Sequence, residues 1–228
     1  GYEEDLVHIN NKTAAIFIEI IGGESGVRKA SKSYFNALRT RCDETGTLLI
    51  VDEIQTGFGR TGTFWAYESM GIVPDILLTA KGMGGGMPIG AFIANEKLMK
   101  SLSFDPVLGH ITTFGGHPVN CAASLATLNY IVDENFMDAI PLKSQLFVDL
   151  LVHPMIKEVR AAGLMIAVEF ENFEIIQKII QKCLQNGLIT DWFLFCNNSL
   201  RIAPPLIITM KEIKIACKII LQATKEVE

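Results

Sequence analysis

Apolar positions along this chain change texture once, near residue 135. Before it, short apolar runs alternate with stretches of helical period. Leu48-Leu49-Ile50-Val51 ends in Asp52-Glu53, and Ile76-Leu77-Leu78-Thr79-Ala80 ends at Lys81 and Gly82-Met83-Gly84-Gly85-Gly86-Met87-Pro88. Short apolar runs bounded by turn residues predict buried parallel strands. Residues 14–20 read as another strand. Between them, Val27, Tyr34, Leu38 and Cys42 keep a helical period over residues 26–45, with Gly46 as the stop. Strand, helix and strand joined by short links make a right-handed βαβ unit and imply a parallel sheet. Residues 76–79 and 89–94 add two further strands. A helix from His117-Pro118 through Tyr130 carries Cys121, Ala122, Ala123, Ser124 and Ala126, small residues that permit close packing of a spine between two lobes.

From Phe136 the pattern predicts a helix, then a strand pair or one long bent strand over residues 156–170 around Gly163. An amphipathic helix over 174–186 ends at Gly187. Short β pieces follow at 188–190 and 200–203, and a closing helix starts at Thr209 as its N-cap. Helices over a small antiparallel sheet define an α+β lobe. The expected division is therefore 1–135, part of a large parallel-sheet domain, and 136–228, a small C-terminal α+β domain.

Composition narrows the function classes. The net charge of −5 and the absence of a Lys/Arg cluster argue against nucleic acid. The acidic start, Gly-Tyr-Glu-Glu-Asp-Leu, is unlike a signal peptide, and the apolar runs are strand-sized, so neither secretion nor a membrane is expected. Five widely spaced cysteines without Cys-x-x-Cys suit neither a disulfide framework nor a zinc site, which points to a reducing cytoplasm and to no metal.

The chemistry lies at the strand ends. In an open α/β sheet, ligands bind beyond the carboxyl ends of the strands. Lys81 and Asp52 should therefore face one crevice as a buried amine and a buried acid, a pairing suited to a cofactor that needs a Schiff base and an anchored pyridinium. Each residue also has a plainer reading. Asp52 could cap a loop, Lys81 could be a surface lysine, and the glycines could serve a tight turn. Leu-Leu-Ile-Val-Asp-Glu also fits the Walker B segment of a P-loop NTPase, with Asp52-Glu53 on magnesium. That reading requires Gly-x-x-x-x-Gly-Lys-[Ser/Thr], and the chain contains no Gly-Lys dipeptide.

Taken together, Asp52-Glu53-Ile54-Gln55-Thr56-Gly57-Phe58-Gly59-Arg60-Thr61-Gly62, Pro74-Asp75-Ile76 and Ala80-Lys81-Gly82 resemble the class III aminotransferases. So do His110-Ile111-Thr112-Thr113-Phe114-Gly115-Gly116-His117-Pro118 and Leu200-Arg201-Ile202-Ala203-Pro204-Pro205-Leu206. The resemblance implies an α/β PLP-transferase fold of the aspartate aminotransferase type, of which these blocks form the C-terminal half. It implies pyridoxal 5'-phosphate as cofactor, an amino donor and a 2-oxo acid as substrates, and a homodimer with shared active sites. Lys81 would hold the cofactor and shuttle the proton. Asp52 would pair with the pyridine nitrogen, Ile54 would lie against the ring on the same side of an extended chain as Asp52, and Gln55 would meet the phenolic oxygen. Thr112 and Thr113 would reach the phosphate of the neighbouring subunit's cofactor. Arg201 would hold the substrate's α-carboxylate, and Glu24 would pair with Arg201 when that carboxylate is absent. This pairing points to the acetylornithine/ornithine type, with 2-oxoglutarate as acceptor. The chain departs from the usual Glu-Pro-Ile-Gln-Gly-Glu at Glu19-Ile20-Ile21-Gly22-Gly23-Glu24. The alternative within this resemblance is a non-catalytic remnant, because the family's N-terminal half supplies the phosphate-cradling turn and the aromatic residue on the ring's other face.

Overall fold

The computed structural model describes residues 3–228. In chain order the elements are β1 (Ala15–Glu19), β2 (Ile21–Gly22), β3 (Arg28–Lys29), α1 (Lys32–Thr45), β4 (Leu48–Asp52), β5 (Ile76–Thr79), β6 (Ala91–Ala94), α2 (Glu96–Ser101) and α3 (Pro118–Asp133). There follow α4 (Ile140–Leu150), β7 (Glu158–Ala162), β8 (Met165–Glu169), α5 (Phe173–Gln185), β9 (Asp191–Phe193), β10 (Cys196–Ile202) and α6 (Met210–Lys225). Among the described residues, no helix is long and apolar enough to cross a membrane.

These elements form two compact units. One comprises residues 3–20, Ala30–Phe58 and Trp65–Glu134; the other comprises Ile21–Lys29, Gly59–Phe64 and Asn135–Glu228. A single division near residue 135 misses the two early segments of the second unit. Long-range hydrogen bonds set their allegiance: Phe195 N donates to Glu24 O at 3.1 Å, Arg160 Nε to Gly26 O at 2.7 Å, and Leu164 N to Arg60 O at 2.9 Å.

The first unit is built on the sheet β1-β4-β5-β6. β1, β4 and β5 run parallel, as the βαβ pattern requires, whereas β6 is antiparallel to β5. A parallel return needs a crossover of a dozen residues or more, and the 80–90 connection is too short and is partly spent on a 3-10 turn (Lys81–Gly84). The crossover helix α1 begins at Lys32 rather than at residue 26. Gly26 and Val27 hold positive φ of 86° and 58°, and Ser31 then caps the helix by accepting from Tyr34 N. Its apolar face buries Tyr34, Phe35, Leu38 and Cys42, and Gly46 at φ 71° closes the last turn. Alternation along the strands separates the sheet's two faces. Leu49 and Val51 are wholly buried. The opposite face carries Asp52 in register with Leu78 and Phe92, and there Phe17 is 70% and Phe92 45% exposed. The small-residue helix α3 is apolar on all sides, yet Ile131 is its sole buried residue; close packing is realised against the 3-10 turn, where a Cβ at Gly85 would stand 2.1 Å from Thr127 Oγ1.

The second unit is a four-stranded antiparallel sheet, β7-β8-β10-β9, with α4, α5 and α6 packed around one core. Phe147, Leu164, Ile166, Phe170, Ile176, Ile179, Leu200, Ile213 and Ile220 fill it. α5 starts where the Asn172 side chain accepts from Ile175 N, and α6 at a capping box between Thr209 and Glu212. These caps satisfy backbone donors that the first helical turn leaves orphaned. Burial pushes the Cys183 thiol up to about 11 and the Cys217 thiol up to about 12, so both behave as small core residues rather than nucleophiles. The final β pieces differ from the pattern: residues 188–190 are not strand, β9 lies at 191–193, and β10 spans 196–202, beginning earlier than the expected 200–203.

Residues 156–170 form a hairpin. β7 and β8 pair from Ala162–Met165 outward, and Gly163 turns the chain at φ 58°. A Cβ at Gly163 would lie 2.5 Å from Arg60 O and 2.7 Å from the Thr61 backbone. Gly163→Ala combines a left-handed penalty of about 1–2 kcal/mol with a clash against backbone that cannot swing aside. The variant should lose about 2–4 kcal/mol, measured as a lowered denaturant midpoint at unchanged slope. A wild-type midpoint would mean that this corner is looser than described.

Candidate active site

Asp52 closes β4 and Lys81 follows β5, on adjacent parallel strands. Asp52 is half-buried, and its Oδ1 accepts from Ile54 N at 2.8 Å. That bond turns the chain immediately after the strand, the short side chain standing in for a backbone turn. Residues 54–57 are therefore not extended, Gly57 N donating to Glu53 O at 2.9 Å. The expectation that Ile54 lies on the same side of an extended chain as Asp52 fails for this reason; Ile54 and Gln55 are half-buried on the turn itself.

Lys81 also differs from expectation. It is exposed, not buried, because β5 ends at Thr79 and the backbone enters the 3-10 turn with Lys81 at φ 44°. A lysine in the left-handed region carries local strain, and such strain clusters at functional sites. Just before it, Thr79 is buried and its Oγ1 has no hydrogen-bond partner. Thr112 and Thr113 lie in an exposed stretch that turns through Gly115 N to Thr112 O at 3.1 Å.

Glu53 does work that sequence reasoning missed. It is 1% exposed, with one carboxylate oxygen accepting from Thr56 Oγ1 and the other from Tyr67 N at 2.9 Å. Burial pushes its carboxyl above the usual range, and the hydrogen bonds from Thr56, Tyr67 and Ala66 oppose that rise. The side chain ties the turn bearing Ile54 and Gln55 to the 66–67 segment, beside an edge-on pair of Phe58 and Trp65 at 5.3 Å. In the sequence, Asp-Glu reads as a strand end or as part of a Walker B segment, and the partners that make Glu53 structural lie up to fourteen residues away.

The second unit brings together the other two candidates. Arg201 Nη1 meets Glu24 Oε1 at 3.0 Å, with both side chains partly exposed. Glu24 is held from behind, since its Oε2 accepts from Leu194 N at 3.2 Å. Arg201 also stands over the Phe193 ring at 5.6 Å, a cation–π contact. Arg201 is paired yet remains within reach of solvent.

The model of the family described as "Aminotransferase class-III" matches residues 3–224. The chain belongs to the class III aminotransferases, whose members are pyridoxal-phosphate-dependent enzymes. It is 40% identical over 224 residues to an acetylornithine aminotransferase of Caldanaerobacter subterraneus subsp. tengcongensis, an alignment covering 96% of this chain and 55% of the relative. It is 41% identical over 221 residues to a putrescine aminotransferase of Pectobacterium atrosepticum, covering 94% of this chain and 46% of the relative. Among solved structures, the ornithine aminotransferase of Toxoplasma gondii, described with partial occupancy of PLP at its active site, superimposes with a TM-score of 0.87 at 34% identity. That match covers 99% of this chain and 53% of the other. The chain thus spans about half the length of the curated relatives it matches, and its fold is that of the corresponding part of a PLP-transferase.

Proposed function

We infer that this chain serves transamination between an ω-amino or acetylated diamino acid donor and 2-oxoglutarate, with pyridoxal 5'-phosphate as cofactor. The observation that carries this reading is the strained Lys81 at the tip of the strand adjoining the one that ends in Asp52. The donor set fits the cofactor: an amine for its carbonyl carbon, a carboxylate for its pyridine nitrogen, and hydroxyl and N–H groups at Thr112–Thr113 for its phosphate. When bound, the cofactor supplies the carbonyl that takes up the amino group and a ring that accepts an electron pair.

The protein's residues supply the rest. Asp52, steadied by Ile54 N, keeps a proton on the pyridine nitrogen. Lys81 Nζ would hold the cofactor and carry the proton between the substrate carbon that bears the amino group and the cofactor's carbonyl carbon. Ile54 and Gln55, on the turn that Glu53 clamps, are assigned to the ring face and the phenolic oxygen. Thr112 and Thr113 are assigned to the phosphate of a second subunit's cofactor, in a homodimer with shared sites. Arg201 takes the α-carboxylate of the acceptor, and Glu24 covers it while a donor without a carboxylate there is bound. The Glu24–Arg201 ion pair supports the acetylornithine/ornithine type over donors whose handling needs no such exchange.

The direct test is incubation with pyridoxal phosphate, reduction with borohydride and mapping of the modified peptide. Modification at Lys81 supports the reading; labelling scattered over surface lysines refutes it. For specificity, Arg201→Ala should weaken 2-oxoglutarate about 10- to 100-fold, the worth of about 1.5–3 kcal/mol for a charge-assisted hydrogen bond. The amino donor should be affected far less. Equal losses for both substrates, seen in the two half-reactions measured separately, would remove Arg201 from the carboxylate role.

A further inference from the structure

Glu24 lies in the 23–27 loop of a hairpin whose strands, β2 and β3, pair Ile21 with Lys29 and Gly22 with Arg28. This loop rests on the polar face of the small sheet. In that face Arg160, Ala167 and Arg201 share one row across β7, β8 and β10, and Glu158, Glu169 and Ser199 share the next. Arg160, its side chain only 10% exposed, is bonded in three directions. Its Nε donates to Gly26 O at 2.7 Å and its Nη2 to Ser199 Oγ at 3.0 Å, while Nη1 pairs with Glu158 and Glu169. One planar group therefore ties the Glu24 loop to β10 at Ser199, next but one to Arg201.

Two further contacts seat the same loop. Phe195 N donates to Glu24 O at 3.1 Å. Gly26, at φ 86°, lies so close to β10 that a Cβ there would stand 2.7 Å from Cys196 Sγ and 3.1 Å from Arg160 Nη2. The backbone is thus held on either side of Ser25, whereas the Glu24 carboxylate meets Arg201 Nη1 at 3.0 Å through a side chain that can rotate. A carboxylate tethered to a fixed backbone competes with a free ligand at high effective concentration, which falls as the tether loosens. A ligand's apparent affinity drops with the fraction of time its site is covered. The hold on the loop therefore sets how strongly Glu24 resists an incoming carboxylate.

We propose that Arg160 is the positioning residue of this exchange: by fixing the 23–27 loop to β10 it keeps Glu24 opposite Arg201, so that the Glu24 side chain alone moves aside when a substrate carboxylate binds. This deepens the Glu24–Arg201 assignment and rests on it. Arg160 acts through Glu24 and is not itself catalytic.

Glutarate, a dicarboxylate without the reactive keto group, is the probe, titrated by calorimetry into the chain and into variants checked for native circular dichroism. All variants keep Asp191, which stands in register with Arg201 on β9, so differences among them report the loop. Glu24→Gln removes the competing charge and should bind glutarate about five-fold more tightly, the upper worth of a partly exposed ion pair. Arg160→Lys keeps a charge for Glu158 and Glu169 but loses the fork that reaches Gly26 and Ser199. It should tighten binding about two- to three-fold, and Gly26→Ala, which lifts the loop from the Cys196 side, should do the same. Neither should add anything in a Glu24→Gln background. Backbone hydrogen exchange over residues 21–29 should rise in both loop variants, yet stay unchanged when glutarate saturates the wild type. Unaltered or weaker binding in Arg160→Lys overturns the proposal, as does a change that persists in Glu24→Gln, since a merely structural arginine would act without Glu24. Loss of the native spectrum in Arg160→Lys counts against it equally, and so does loosening of 21–29 by glutarate in the wild type. Glu24→Gln binding no tighter than wild type refutes the underlying exchange instead, and a wild-type chain that ignores glutarate refutes the carboxylate role of Arg201; either result removes the proposal with it.

Discussion

Lys81→Arg is expected to leave no borohydride-fixable pyridoxal phosphate on the peptide that carries residue 81, while preserving the positive charge. A guanidinium stays protonated at any working pH and cannot attack a carbonyl, so the variant separates nucleophilicity from charge. Lys81→Gly makes a second, independent demand. Lys81 sits at φ 44°, where glycine is at ease and an L side chain is not. Removal of that strain offsets the extra entropy glycine brings to the unfolded chain, so Lys81→Gly should hold or gain up to about 1 kcal/mol while losing the label completely. Stability kept and function lost is the behaviour of strain maintained for chemistry. Retention of label in Lys81→Arg, or a Lys81→Gly variant that unfolds, would sink the assignment.

Asp52→Ala carries the second largest expected effect. A carboxylate at contact distance favours the protonated partner by ~1–3 pKa units. Each unit is about 1.4 kcal/mol, a factor of ten if the rate follows the protonated ring. Transamination in the cofactor-bound protein should therefore fall about 10- to 1000-fold, with fixation at Lys81 retained. The half-reaction with the amino donor, followed in single turnover, isolates this step from substrate release. The loss should not extend to folding. Asp52 is half-buried, and the local bond it gives up is the one from Ile54 N at the turn, worth about 1 kcal/mol. Normal turnover in Asp52→Ala would remove the residue from this role.

Glu53 is the natural contrast to Asp52, one residue away on the opposite face of the chain. Asp52 is half-buried and accepts only a local bond from Ile54 N in the turn described above, whereas Glu53 is 1% exposed and accepts from the Thr56 hydroxyl and from Tyr67 N. Nothing in the dipeptide distinguishes the two. Alternation along β4 assigns them to different faces, but which face is closed depends on what packs there.

Local chemistry was readable wherever neighbouring residues decide it. Residues 76–79 are a strand in both pattern and structure, Thr209 caps α6, and the 156–170 stretch folds back at Gly163. Apolar period, capping side chains and a glycine at positive φ act over a few residues. The ordered family blocks were readable for the same reason, each being a short contiguous run.

Tertiary structure decided the rest through bonds between distant residues. Segments 21–29 and 59–64 join the C-terminal unit through Phe195–Glu24, Arg160–Gly26 and Leu164–Arg60 hydrogen bonds. The Arg60 side chain likewise reaches the carbonyl of Pro204, just past β10, a partner that no spacing along the chain encodes. Likewise, the apolar run before Lys81 determines a strand, but the exposure of the amine follows from where β5 stops and how the backbone turns after it. A side chain's type is written at its own position, whereas its burial and the charges it meets belong to the residues that folding brings to it.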